Sequence, residues 1–278
     1  MSTDSFDRRD FLKGAAGSAT ALVAGVGLSD APQSQQQREG AAEGSSAQAE
    51  IQAMKNKIAI ATQMLASEGI VGSSGHVSIR IATDRILVGP SDVSRDVVTA
   101  DDVVIVDLNS KQIEGKRHAP DETEIHTGIY RARPDVTSIV HTHPTYSVVF
   151  SITGQPILPV HMHGAIFADG VPVFDSVGHV NTKELGDGLA HALGSRRAVL
   201  LKMHGAAVTG GSLEEAFVAA IQLEENAQAQ LLAISTGAKV QPMTAQDVAK
   251  CMKESWRPFS IQKRWQFYLD KNSLTGKV

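Results

Sequence analysis

Two histidines separated by a single residue, His141 and His143, are the part of this sequence best suited to chemistry. They follow an apolar run that ends in Val140 and precede Pro144, which ends a strand because it has no backbone donor. Side chains two positions apart on a strand point to the same face. Both imidazoles can therefore bind one cation, and imidazole is a common ligand of divalent metals. The pattern predicts a pair of metal ligands at the end of a strand.

A metal site built on this pair needs a third ligand, and the sequence offers two candidates. His204 follows the apolar run 199–201 and precedes a glycine, so it is also predicted at a strand end. The second candidate is another His-x-His pair, His161 and His163, which comes after Pro159. Residue chemistry alone does not choose between the two.

The composition excludes several other classes of protein. The chain has 278 residues, of which 42% are hydrophobic and 20% are charged, and its formal net charge is −4. That balance argues against a basic nucleic-acid-binding surface, and the charges are interspersed rather than gathered in blocks. The single cysteine, Cys251, rules out an intramolecular disulfide framework and a cysteine-rich metal site. The expected partner is a small-molecule substrate, bound by histidines and carboxylates.

Periodic apolar residues predict the helices and strands that position these histidines. A helical stripe runs over 50–68 and stops at Gly69, a second helix covers 122–131, and a capping box formed by Ser212 and Glu215 opens a helix to about Ser235. Helices and strands are interleaved, which predicts an α/β or α+β fold with a mostly antiparallel sheet. The predicted strands cover 77–81, 86–88, 103–108, 136–140, 157–160, 171–174 and 199–201.

Four motifs stand in a fixed order along residues 50–235: Gly75-x-Val-Ser78, Glu122…His126…Tyr130…Arg133-Pro134-Asp135, His141-x-His143 and Leu201-x-x-His204-Gly205. In this order and close to this spacing they resemble the class II aldolase/adducin family. The resemblance implies a three-layer αβα sandwich around a central, mostly antiparallel sheet. It also implies one divalent metal ion per subunit, held by His141, His143 and His204, with zinc expected and manganese, cobalt or iron as alternatives.

The resemblance further implies roles for residues outside the histidine trio. Glu122, at the start of its helix, is expected to act as the acid/base or as a fourth ligand. In the family the C-terminal tail reaches the active site of a neighbouring subunit in a tetramer, so Tyr268 is a candidate proton donor and Arg264 a candidate carboxylate anchor. The alternative is an amphipathic tail helix that packs Trp265 and Phe267 on its own subunit. His163 is predicted to face the substrate, with structural packing as the alternative.

Three departures from the sugar-phosphate members of the family argue against a phosphorylated substrate. Gly75 is followed by His76 where those members have asparagine, and Pro120 and Asp121 replace small hydroxyl residues ahead of the catalytic glutamate. Asp92 stands where a glycine is usual. Carboxylates repel a phosphate dianion, and lost hydroxyls are lost hydrogen-bond donors. The residues predicted to bind the substrate are Ser74, His76, Ser91, His163 and Arg264.

The metal and the glutamate together predict a lyase. A metal with open positions polarises a carbonyl and stabilises the enolate formed beside it, while Glu122 moves the proton. The resemblance favours a hydroxy or oxo acid without phosphate, as in family branches that decarboxylate hydroxypyridine-dicarboxylates and dihydroxyphthalates. The expected enzyme is a metal-dependent aldolase or decarboxylase acting on an aromatic or heteroaromatic carboxylate. The alternatives are a non-heme Fe(II) oxygenase on a hydroxyaromatic acid and an adducin-like scaffold without activity.

The first fifty residues are predicted to lie outside the catalytic domain. Arg8-Arg9 and the small, apolar stretch 14–28 are typical of a twin-arginine export signal over residues 1–31. That stretch is shorter than the roughly 20 residues that a membrane span needs. Residues 32–49 are polar and predict a flexible linker. The catalytic domain then covers 50–278, with a C-terminal tail from about residue 237, and is expected to act in the periplasm without a membrane anchor.

Cell fractionation tests the export prediction. We expect the chain in the periplasmic fraction, shortened at its N-terminus, because the signal is removed on export. A variant in which Arg8 and Arg9 are both replaced by lysine is expected to stay in the cytoplasm at full length. Finding the unaltered protein at full length in the cytoplasm would contradict the signal.

Overall fold

The strands of this protein pair into one sheet in the computed structural model, which describes residues 33–277, with side chains from residue 46 onward. Within that range the strands are β1 (His76–Arg80), β2 (Arg85–Val88), β3 (Val104–Asp107), β4 (Gln112–Glu114), β5 (Ser138–Thr142), β6 (Val173–Phe174), β7 (Ala198–Leu201) and β8 (Gly205–Gly210). Their order across the sheet is β4-β3-β2-β1-β5-β8-β7-β6. Neighbouring strands run antiparallel except β6 and β7, which are parallel. The sheet is therefore mostly antiparallel, as predicted.

Helices pack on both faces of this sheet. They are α1 (Gln33–Ser67), α2 (Thr123–Ala132), α3 (Thr145–Thr153), α4 (Lys183–Leu193), α5 (Leu213–Ser235), α6 (Ala245–Ser255) and α7 (Pro258–Lys271), with short 3₁₀ segments at Ala100–Asp102 and Met162–Phe167. Buried residues of α1, α3, α5 and α7 share one hydrophobic core, and those of α2 and α4 belong to a second. The predicted three-layer αβα arrangement is confirmed.

Alternating strand residues supply the two cores. Val140 faces the core of α1 and α5, whereas its neighbour Ile139 faces the core of α2 and α4, and both are fully buried. Leu87 and Ile86 divide in the same way. A sheet that is buried on both faces requires this period of two. His141 lies two positions after Ile139, so it points into the layer of α2 and α4.

The predicted strand over 157–160 is wrong, although its backbone is hydrogen-bonded much as a strand would be. Leu158 N donates to Gln230 Oε1 at 2.8 Å, and Val160 N donates to Asn226 Oδ1 at 3.1 Å. Asn226 Nδ2 in turn donates to the carbonyl of Leu158, and Gln230 Nε2 donates to a carbonyl one residue before the segment. Side-chain amides of α5 thus take the place of a neighbouring strand, which an apolar run in the sequence does not reveal.

The long helix predicted from the capping box is confirmed as α5. Ser212 Oγ accepts a hydrogen bond from Glu215 N at 3.2 Å, and the Glu215 carboxylate accepts one from Gly211 N at 3.0 Å. The return bond therefore reaches one residue further back than in the usual capping box. Because Ser212 satisfies one of the donors that a helix start leaves unpaired, the helix begins at Leu213.

The N-terminal segment differs in part from the prediction. Residues 33–49, predicted as part of a flexible linker, belong to α1 in the structure. The segment has five glutamines, four alanines, two glutamates and one arginine among its 17 residues, and these residue types combine polarity or small size with high helix propensity. Its polarity therefore does not exclude a helix. The predicted export signal, residues 1–31, lies outside the described residues, and none of the helices in the described range is long and apolar enough to cross a membrane.

Two glycines let α2 and α4 approach each other closely. A Cβ atom added to Gly128 would lie 2.5 Å from the carbonyl carbon and oxygen of Gly186, and one added to Gly186 would lie 2.6 Å from Glu124 O. Backbone atoms cannot turn aside as the end of a flexible side chain can, so this contact admits no side chain. The contact holds α2 in the layer into which His141 points.

Gly128→Ala is expected to lower the free energy of unfolding by about 1–3 kcal/mol, because overpacking forces the two helices apart. Chemical denaturation followed by circular dichroism measures the change. The control is Gly72→Ala, because a Cβ atom on Gly72 meets no atom within 4 Å. Equal losses of stability in the two variants would contradict this account of the helix contact.

Candidate active site

The fold brings His141, His143 and His204 together at one end of the sheet. His141 lies in β5, His143 follows the end of that strand, and His204 occupies the turn between β7 and β8. One ring nitrogen from each histidine lies within 4.8 Å of the others, and the Nε2 atoms of His141 and His143 are 3.0 Å apart. The ring centroid of His204 is 5.1 Å from that of His141 and 5.0 Å from that of His143. Of the two candidates for a third ligand, the structure thus places His204 beside the pair.

Burial shapes the protonation of this cluster. The pKa of His141 is held well below its usual range. The largest cause is loss of solvation by burial, and the next is repulsion from the neighbouring histidines. The same causes lower the pKa of His143 to about 4, so at neutral pH both rings are uncharged and offer lone pairs. His141 Nδ1 lies 3.1 Å from Ala206 O and can only donate to it, which leaves the lone pair on Nε2.

The donor set fits a divalent cation. The Nε2 atoms of His141 and His143 are 3.0 Å apart, and two lone pairs at this distance do not attract each other. The contact is favourable only if one nitrogen carries a proton or a cation lies between them. His204 Nδ1 is fully buried and has no hydrogen-bond partner among the described residues, so this ring is not held in place by hydrogen bonding at that atom. Three imidazoles with neighbouring open positions suit zinc, and equally manganese, cobalt or iron.

The turn that carries His204 is held in a conformation uncommon for its residues. Met203 has a φ of 56°, in the left-handed region, and its N–H donates to Ser151 Oγ at 2.9 Å. A Cβ atom on the next glycine, Gly205, would lie 2.4 Å from Thr142 O and 2.9 Å from His143 Cδ2. The glycine after His204 is therefore required by the close approach of the two strand ends that hold the histidines.

Glu122 is positioned by the first turn of α2. It is the N-cap residue of that helix and is 8% exposed. Its Oε1 atom accepts a hydrogen bond from Val180 N at 3.0 Å, while Oε2 lies 3.5 Å from His204 Nε2 and 3.9 Å from His141 Nε2. One carboxylate oxygen is thus fixed to the backbone and the other faces the histidine cluster, where a proton-transferring group would stand.

His76 joins the cluster from the neighbouring strand. The register of β1 and β5 places it opposite His141, and the two ring centroids are 4.9 Å apart. One of its nitrogens lies within 4.8 Å of a Glu122 oxygen and a His141 nitrogen. The structure therefore brings this predicted substrate-binding residue to the site.

Four residues next to the site have no function assigned to them from the sequence. Ser78, His126 and Tyr130 form a buried hydrogen-bonded chain behind His76, with distances of 2.7, 2.7 and 2.9 Å. Arg95 is 3% exposed and donates from Nε to Gly75 O at 2.7 Å, next to His76. The spacing of four residues from Glu122 to His126 to Tyr130, which puts side chains on one helix face, could have identified the first group. Nothing in the local sequence marks Arg95.

The two predicted serines lie at the surface. Ser74 is exposed and precedes Gly75 and His76 in the chain. Ser91 is exposed as well, and its hydroxyl donates to His118 O at 3.2 Å. Their contact with a substrate stays a prediction.

The remaining predicted residues form a separate cluster. Arg264 Nη2 donates to His163 Nε2 at 2.8 Å, and His163 Nδ1 lies 3.2 Å from Glu225 Oε2. Together with Tyr268 they line a cavity of about 150 Å³. Within the described chain, none of His163, Arg264 and Tyr268 hydrogen-bonds to Glu122 or to the clustered histidines. The positive guanidinium also disfavours a cation at the second His-x-His pair.

The tail packs on its own chain through α7. Trp265 is 1% exposed, and its ring lies edge-on to Phe217 of α5 with centroids 5.2 Å apart. Tyr268 meets the same phenylalanine at 5.3 Å, and burial raises its pKa to about 12. Phe267 is 58% exposed. The alternative, a tail helix packed on its own subunit, therefore holds for Trp265, which is buried, and not for Phe267, which is exposed.

Known proteins resemble this chain in sequence. Residues 56–231 match the family model described as Class II Aldolase and Adducin N-terminal domain. The chain is 32% identical over 233 residues to a 3,4-dihydroxyphthalate decarboxylase from Arthrobacter keyseri, an alignment that covers 79% of this chain and 94% of that protein. It is 30% identical over 184 residues to an L-fuculose phosphate aldolase from Escherichia coli O6:H1, covering 66% of this chain and 84% of that protein.

A solved structure shares the fold. An L-fuculose 1-phosphate aldolase from Glaciozyma antarctica PI12 superposes with a TM-score of 0.72 at 25% identity, over 81% of this chain and 90% of the other. Class II aldolases use a divalent metal ion, and the clustered histidines and glutamate form a possible site for one. The family model covers well over half of the chain. The chain belongs to the class II aldolase/adducin family.

Proposed function

We propose that this protein is a divalent-metal-dependent carboxy-lyase that removes carbon dioxide from a hydroxyaromatic carboxylate without phosphate. The observation that carries the proposal is the meeting of three imidazoles and one anchored carboxylate, His141, His143, His204 and Glu122, at one end of the sheet. The two relatives named above are both lyases, one a decarboxylase and one an aldolase. A scaffold without activity would not need this set of side chains.

His141, His143 and His204 would hold the metal, with Glu122 beside them. A bound divalent ion supplies Lewis acidity toward an oxygen of the substrate. Zinc is the metal we propose, because the ligands are imidazoles and zinc tolerates an open position. The described residues offer no cysteine at this site, since Cys251 lies in α6.

Glu122 moves the proton in this proposal. Its Oε2 first takes the proton of the substrate hydroxyl. The carbon–carbon bond to the carboxylate then breaks, its electron pair stays on the ring carbon, and Glu122 returns the proton to that carbon as carbon dioxide leaves. The hydrogen bond from Val180 N to Oε1 keeps the other oxygen in place throughout.

Charges around the site favour a carboxylate over a phosphate ester. Arg95 is buried next to His76 and forms no ion pair within 4.0 Å among the described residues, although Asp92 acts on it from further away, so an anionic substrate would supply a direct counter-charge. His76 replaces the asparagine of the sugar-phosphate members, and Asp92 and Asp121 place carboxylates next to Ser91 and Glu122 in the sequence. The 32% identity to a dihydroxyphthalate decarboxylase supports the same substrate class.

The oligomer and the location are part of this proposal. Because His163, Arg264 and Tyr268 cluster away from the histidine site of their own chain, they would act on a substrate only from a neighbouring subunit, as in a homotetramer with sites at subunit interfaces. Export to the periplasm by the predicted twin-arginine signal completes the proposal.

Metal analysis of purified variants tests the ligand set. His141→Ala and His204→Ala are each expected to lose the bound divalent metal, because two imidazoles hold it far more weakly than three. The control is His161→Ala, which removes one histidine of the second His-x-His pair and should leave metal content unchanged. Full metal content in His141→Ala, or its loss in His161→Ala, would count against the assignment.

Carbon dioxide release tests the reaction. The metal-loaded protein is expected to release carbon dioxide from 3,4-dihydroxyphthalate and to leave L-fuculose 1-phosphate uncleaved. Glu122→Gln should keep its metal and lose roughly 10²–10⁴ in kcat, because it can no longer move a proton.

The matched control is Glu184→Gln, which changes an exposed glutamate in the first turn of α4 and should keep full turnover. Cleavage of the sugar phosphate would overturn the substrate proposal. Turnover that needs Fe(II) and consumes oxygen would favour the oxygenase alternative.

A further inference from the structure

A chain of buried polar side chains leads away from the active site behind His76. His76 Nδ1 lies 2.7 Å from His126 Nε2, and His126 Nδ1 lies 2.7 Å from Ser78 Oγ. Ser78 Oγ lies 2.9 Å from the hydroxyl of Tyr130, and all four side chains are at most 6% exposed. His76 and Ser78 are two apart on β1, and His126 and Tyr130 are four apart on α2, so strand and helix present facing pairs.

The His126 ring in the middle of this chain is uncharged. Burial lowers its pKa to about 3. A neutral imidazole carries one proton, so this ring has one donor nitrogen and one acceptor nitrogen. Which nitrogen of His76 is the donor depends on the direction of the hydrogen bonds behind it.

The end of the chain sets that direction. The Tyr130 hydroxyl has two acceptors in reach, Ser78 Oγ at 2.9 Å and Thr137 O at 3.4 Å. Hydroxyl donors prefer about 2.7–2.8 Å, so the tyrosine proton goes to Ser78. Ser78 then donates its own proton to His126 Nδ1, and His126 therefore carries its proton on Nε2 and donates to His76.

His76 receives that bond at Nδ1 and so carries its own proton on Nε2. Nε2 has no hydrogen-bond partner among the described residues, and it is not one of the fully enclosed unpartnered atoms. It is the remaining nitrogen of a ring that stands beside Glu122 and His141. The site thus gains one N–H donor among nitrogens that otherwise offer lone pairs.

We propose that His126, backed by Ser78 and Tyr130, is a positioning residue that fixes His76 in the Nε2–H form, so that His76 donates a hydrogen bond to a carboxylate oxygen of the substrate. The identity of that oxygen rests on the proposed function. The proton arrangement does not, because it is inferred from the distances within the chain alone. No other described side chain hydrogen-bonds to His76.

Nitrogen-15 NMR of the zinc-loaded, full-length protein with labelled histidine reads the proton arrangement directly. Signals are assigned by comparison with His76→Gln and His126→Gln. Both rings are expected to carry the proton on Nε2 and a lone pair on Nδ1. A proton on Nδ1 of His76, or a mixture of the two forms, would overturn the proposal whether or not the protein is a decarboxylase.

A double-mutant cycle tests whether His126 acts through His76. His126→Leu is expected to lower kcat/KM on 3,4-dihydroxyphthalate by about tenfold, the effect of one lost hydrogen bond, with metal content unchanged. In a His76→Leu background the same substitution should have no further effect. An equal loss in both backgrounds would indicate a merely structural role and refute the positioning role.

His126→Gln separates the positioning role from simple space filling. Glutamine can donate from Nε2 to His76 and accept at Oε1 from Ser78, so it is expected to recover most of the activity lost in His126→Leu. Recovery by His126→Phe, which fills space and has no polar atom, would instead contradict the proposal. If the unaltered protein does not turn over dihydroxyphthalate, the proposed function fails while the NMR result still decides the proton arrangement.

Discussion

β1 and β5 pair with His76 opposite His141, and β5 and β8 pair with His141 opposite Ala207. The turn from β7 to β8 then brings His204 to the same end of the sheet. A slip of one residue in either pairing would turn the histidines to the opposite face, among the apolar side chains beneath α1 and α5. Because both faces of the sheet are buried, such a slip would also bring polar side chains into the hydrophobic cores. The hydrophobic cores therefore maintain the site by maintaining the register.

The layer of α2 supplies the second half of the arrangement. Its four-residue spacing directs Glu122, His126 and Tyr130 toward the sheet, and the glycine contact with α4 holds it there. Leaving a buried polar group without a hydrogen-bond partner costs more free energy than pairing it gains. The side chains of the hydrogen-bonded chain behind His76 therefore have few other positions open to them. The same burial keeps His141 and His143 uncharged at neutral pH, as ligands of a cation must be.

Features that depend on local periodicity could be predicted from the sequence. The alternation of His141 and His143, the helix that starts after Glu122, the capped start of α5 and the mostly antiparallel sheet follow from patterns within a few residues. The choice of His204 over the second His-x-His pair came from family resemblance, because residue types alone permit either. The sequence predicts a flexible linker over 32–49, whereas the structure has a helix over 33–49. The residues of this segment are polar or small, and most of them also have high helix propensity, so polarity alone does not separate a linker from a helix.

Features that depend on distant partners could not be predicted. Arg95 is buried by contacts with Gly75, 20 residues away, and no local pattern marks it. The segment 157–160 has the composition of a strand, yet its partners are amides of α5. Arg264 and His163 are 101 positions apart in the chain, and their pairing in a cluster of their own is visible only in three dimensions.

The attachment of 157–160 to Asn226 and Gln230 has a consequence for how such a protein can diverge. The segment leads directly into His161 and His163, yet no strand of the sheet relies on it for a partner. A replacement would have to keep an apolar residue in the core in place of Ile157 and partners for the buried amides of Asn226 and Gln230, but it would leave every strand pair intact. Descendants of this chain could therefore remodel the surface that carries the second histidine pair without disturbing the first.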